Sequence, residues 1–184
     1  WSSDVCSSDL RCFPRRMLAE VMLDAVSQVT DVPTEFKNIV YSGSDIKPTD
    51  AYPRGTRAIQ LQDSAVQSWF LQTFGRNQRR ITCECERSDE PSMVQALHLS
   101  NGDTLNGKLS APENRLSKWL AANMTNEEII SEIYLSCLAR QPSAAEQAGL
   151  LAELQRASTP EERRATLEDV LWAVLSSREF LFNH

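Results

Sequence analysis

The sequence predicts a mainly α fold: an irregular helical region with one or two short extended segments, then an antiparallel three-helix bundle. Three observations carry that expectation. Apolar residues near the start recur at helical spacing. Glycine and proline break up the stretch that follows. Three helix-capping signatures then come in succession after residue 124. The divisions expected are residues 1–10 as a foreign, disordered segment, 11–123 as a helical and irregular core, and 124–184 as a bundle packed on it.

The opening segment reads WSSDVCSSDL. The codons TGG AGT TCA GAC GTG TGC TCT TCC GAT CTN, the end of a common library adapter, translate to those residues in order. The segment lacks the basic start and apolar stretch of a signal peptide. The expectation is that Trp1 to Leu10 are foreign, and that the natural chain begins near Arg11 as a fragment of something longer. Cys6 then carries no meaning, and Cys12, Cys83, Cys85 and Cys137 remain.

Met17, Leu18, Val21, Met22, Ala25, Val26 and Val29 form one apolar stripe, predicting a helix from about Arg15 to Thr30 that Pro33 ends. Residues 31–56 hold Pro33, Gly43, Pro48, Pro53 and Gly55 and read as a long loop. Arg57 to Leu61 reads as extended. Asp63 is placed to cap a helix carrying Val66, Trp69, Phe70 and Phe74, stopped by Gly75. Ile81 to Glu86 alternates and reads as extended. Asp89 and Pro91 suit the start of a helix with Val94, Leu97 and His98 inward. Asn101-Gly102 marks a turn, and Leu105, Leu109, Leu116, Trp119 and Leu120 predict two short helices around Pro112.

The last region is the most regular. Thr125 with Glu128, Ser143 with Glu146, and Thr159 with Glu162 are capping boxes, the last with Pro160 at the first helical position. The stripes expected after them are Ile129, Ile130, Ile133, Tyr134, Cys137 and Leu138; Ala144, Ala148, Leu151 and Leu154; and Leu167, Val170, Leu171, Val174 and Leu175. Short connections imply antiparallel neighbours.

Composition narrows function. The 184 residues carry a formal net charge of −6, or −4 without Asp4 and Asp9. A mildly acidic chain has no global attraction for nucleic acid. No stretch reaches the roughly eighteen apolar residues of a membrane span. Neither CxxC nor CxxCH occurs, so the chain has no covalent haem attachment motif and no standard zinc knuckle.

Chemistry, if present, concentrates in RRITCECERSDE, residues 79–90. On an extended strand Cys83 and Cys85 share a face with Ile81 and Arg87, while Glu84 and Glu86 lie opposite. Two thiols on one face suit a metal pair, a redox pair or simple burial. A metal would need further donors, with His98, Asp89 and Cys137 the available ones. Cys83, Cys85, Glu86, Arg87 and Asp89 are the candidate catalytic residues, and Cys83, Cys85 and His98 the candidate metal ligands. Interleaved Arg79, Arg80, Arg87, Glu84, Glu86, Asp89 and Glu90 equally describe an ion-pair network. His98 also reads as a helix residue with a satisfied ring, and His184 as a mobile terminus. Trp69, Phe70, Trp119 and Trp172 read as core, with a sugar-stacking platform as the sharper alternative.

The stretches MLAEVMLDAVSQVTDVPTEF, YPRGTRAIQLQDSAVQSWFLQTFGR, ITCECERSDEPSMVQALHLSNGDTLN and LEDVLWAVLSSREFLFNH resemble the planctomycete-type PSD-one domain, domain of unknown function 1553. The most specific match is TCECERSDEP, and the resemblance covers the C-terminal part of such proteins. It implies a long, exported bacterial protein at the periplasm or cell surface. Upstream would lie a companion domain and often a cytochrome c-like domain, which would hold any haem c. Carbohydrate is the implied environment, and no catalytic residue carries over. In an oxidising compartment the resemblance implies a disulfide for Cys83 or Cys85, with Cys12 or Cys137 as partners. The leading expectation is therefore a structural or interaction module. The alternatives are a contribution to redox or polysaccharide chemistry, and a carbohydrate-binding surface.

Overall fold

The computed structural model of the chain describes residues 15–41, 45–62, 64–76, 95 and 102–183. Within them the fold is mainly helical, with two very short two-stranded antiparallel sheets. The readings placed on residues 1–14, Asp63, the Ile81–Glu86 strand, the helix with Val94, Leu97 and His98, and His184 lie outside the described residues.

The first strand, β1 (Arg15–Arg16), corrects the expected helix start. It pairs with the last, β4 (Phe182–Asn183), in the register Arg15↔Asn183 and Arg16↔Phe182. Met17 N–H continues the pairing onto the Leu181 carbonyl at 2.9 Å. These backbone donors are engaged across the chain, so helix α1 begins only at Ala19 and runs to Thr30. Met22, Leu23, Val26 and Val29 face inward, as the stripe requires. Asp31, in the left-handed conformation, ends the helix two residues before Pro33.

The stretch expected as loop contains a hairpin, β2 (Asn38–Ile39) with β3 (Lys47–Pro48). Val40 N–H bonds to the Ala65 carbonyl and Gln67 N–H to the Asn38 carbonyl, at 2.8 and 2.9 Å. A third extended segment thus lies beside the hairpin, and Val66 sits there opposite Ile39 rather than in a helix. Ala58–Gln60, expected as extended, is one turn of 3₁₀ helix. The reason is Asp24 of α1, whose carboxylate accepts the Ala58 and Ile59 N–H groups at 2.6 and 3.1 Å. A carboxylate at the positive end of a short helix satisfies donors that an extended chain would leave without partners.

Helix α2 (Trp69–Thr73) starts later than expected, capped by Ser68, and Gly75 at φ 83° follows its end. With that start Phe70, Leu71 and Phe74 turn inward, and Trp69 falls outside the buried face. Helices α3 (Asp103–Leu109) and α4 (Arg115–Ala121) occupy the expected places around Pro112. Asn114 joins them: its Oδ1 accepts from Ser117 N–H at 2.8 Å while its Nδ2 donates to the Leu109 carbonyl.

Helices α5 (Asn126–Leu138), α6 (Ala144–Leu154) and α7 (Pro160–Leu175) begin at the three capping boxes, each with both reciprocal bonds formed. The stripes of α5 and α7 are buried or half-buried throughout. That of α6 is corrected. Ala144 and Ala148 are exposed, and the inward face is Gln147, Leu150, Leu151 and Leu154. Those four keep helical spacing, and alanine has too little apolar area to set the face against three leucines. Arg163 at the start of α7 reaches Asn126 Oδ1 (2.7 Å) and the Met124 carbonyl (2.9 Å), so the starts of α5 and α7 meet. Arg140 after α5 reaches Glu146 on α6 and Glu179 on the last helix, α8 (Arg178–Leu181). The end of α5, the start of α6 and the region after α7 therefore meet at the other side. One buried cluster runs through Leu23, Leu71, Leu116, Ile130, Leu167 and Leu175, drawing on both halves of the chain.

Candidate functional site

Cys83, Cys85, Glu86, Arg87, Asp89 and His98 all lie outside the described residues. What is described is the ground on either side of them in sequence. Arg16 Nη2 donates to the Phe74 carbonyl at 3.2 Å, its Nη1 donates to Gln95 Oε1, and Gln95 Nε2 donates to the Thr73 carbonyl at 3.0 Å. The Arg16 guanidinium lies 5.8 Å from the Phe74 ring centroid, and Phe70 stacks on Phe74 at 4.4 Å. Arg76 faces Glu20 at 3.8 Å, with 9% and 13% of the two side chains exposed. Arg16, Glu20, Arg76 and Gln95 make further contacts besides these. The Arg16 guanidinium is thus held over an aromatic pair, and the Arg76 guanidinium faces a carboxylate, both groups largely buried. Buried charge of this kind stays only where hydrogen bonds and counter-charges satisfy it.

A second polar cluster lies between α1, α3 and the 3₁₀ turn. Lys108, 6% exposed, donates from Nζ to the Val32 carbonyl at 2.5 Å. Burial pulls its pKa down to about 8, and the Asp24 carboxylate opposes that pull. Asp24 in turn faces Arg57 at 3.5 Å. These groups close backbone donors and acceptors at the end of α1 and the start of the 3₁₀ turn, which is a folding role.

The third cluster is at the surface. Arg140 binds Glu146 through two oxygens at 2.9 and 3.0 Å and Glu179 at 2.6 and 2.8 Å, with its guanidinium 5.2 Å from the Tyr134 ring. The Arg140 side chain, then the Ser143 N–H, hold the Glu146 carboxyl down to about 2, and both carboxylates raise Arg140. Arg140 and Glu146 have no proton to exchange near neutrality, and with Glu179 they clamp three helix ends rather than performing acid–base work.

Cys137 carries a free thiol, and Cys12, Cys83 and Cys85, the other cysteines of the suggested disulfide, lie outside the described residues. Burial pushes the Cys137 thiol up to about 12, which leaves almost no thiolate near neutral pH. Among the described residues no group of three His, Cys, Asp or Glu side chains is placed to hold a metal ion, and no helix is long and apolar enough to cross a membrane.

The tryptophans separate. Trp119 and Trp172 are half-buried against the core, whereas Trp69 is 65% exposed, correcting its expected core role. Ile59, Ile46, Tyr41 and Leu18 are also exposed, so among the described residues five of the six exposed large apolar side chains fall between residues 18 and 69.

Residues 10–154 match the family model described as PSD1, protein of unknown function (DUF1553). The chain belongs to that family. No curated protein and no solved structure gives a significant match.

Proposed function

We propose that this chain is a non-catalytic interaction module of a larger exported protein, seated on domains upstream of it in the same polypeptide. The observation that carries the reading is Trp69, exposed at the start of a helix whose next two residues are buried. A large rigid apolar ring in water is what interface hot spots present before they are covered. Leu18, Tyr41, Ile46 and Ile59 add exposed apolar side chains from the same half of the chain. In this arrangement the location is the periplasm or cell surface, and any haem c belongs to the upstream domains. Replacing Trp69 tests it. Trp69→Ser should leave the melting temperature of this chain nearly unchanged and lower that of the intact polypeptide by several degrees. Equal melting temperatures for intact wild type and variant would refute the proposal.

The same exposed ring supports a second reading, a polysaccharide-stacking platform. Saturable quenching of Trp69 fluorescence by a neutral oligosaccharide, lost in Trp69→Ser, would favour it. Cys83, Cys85, Glu86, Arg87 and Asp89 as a catalytic set is a third proposal, tested below by substitution in the intact protein.

A further inference from the structure

We draw no further inference here: the strongest candidate, the open apolar groove between α6 and α7 lined by Leu150, Ala157, Val170 and Ala173, carries nothing because no feature of the described residues shows what covers it.

Discussion

Lys108 offers the sharpest test of the packing described here. Its ammonium is buried against the Val32 carbonyl, and its pKa falls from the ordinary 10.5 to about 8. Below pH 8 the amine is charged in both folded and unfolded chains, and the folded state bears the full cost of burying that charge. Between about 8 and 10.5 the unfolded chain binds more protons than the folded one, so stability rises with pH. Above that window both forms are neutral and the cost has gone. At 1.36 kcal/mol per pKa unit, the swing is about 3 kcal/mol. Lys108→Met removes the titration and the hydrogen bond together. Losing the bond leaves a carbonyl without its partner, costing roughly 1–3 kcal/mol at any pH. The variant should therefore be nearly as stable as wild type at pH 7 and clearly less stable at pH 10.5. Urea unfolding followed by circular dichroism at half-unit intervals gives the difference, in which the other titrating groups cancel. A difference between the proteins that stays constant across the window would refute the buried-ammonium reasoning.

Ala139 ends α5 at φ 54°, where a Cβ is strained, so Ala139→Gly should raise stability by about 1 kcal/mol in thermal or urea unfolding. Leu171→Ala, at a core position 2% exposed, should cost about 2–5 kcal/mol by the same measurement. The Glu146 carboxyl should stay ionised down to about pH 2 in an NMR titration and return to the ordinary carboxylate range in Arg140→Gln. Stability linked to it is present above the unfolded carboxylate pKa and lost as pH falls towards 2. Cys137 should react with a disulfide reagent at pH 8 at least about tenfold more slowly in the native chain than in urea, because only the thiolate attacks. In the intact protein, Cys83→Ala and Glu86→Ala should leave turnover unchanged, and loss of turnover without loss of stability would instead favour the catalytic alternative.

Local signals explain why some of this was legible in the sequence. The three capping boxes need only residues three apart, and the structure forms all of them where the sequence places them. The α7 stripe is equally local. What escaped depends on distant partners. Arg15 and Arg16 look like the start of a helix until Phe182 and Asn183 supply a strand. Ala58–Gln60 looks extended until Asp24 caps it. Trp69 looks like core because its spacing fits Val66 and Phe70, but Val66 belongs to a bridge with Ile39. Two signals were available and unread: Lys108, interrupting the apolar face of Leu105 and Leu109, and Asn114, a favoured capping residue before a helix.

In the proposed interaction module, the exposed apolar side chains of residues 18–69 are covered in the larger protein. Hydroxyl-radical footprinting of Trp69 reads this directly, in this chain alone and in the intact polypeptide. The expected result is strong labelling of Trp69 in the first and at least about fivefold protection in the second, as burial at an interface core gives. Equal labelling in both would contradict it.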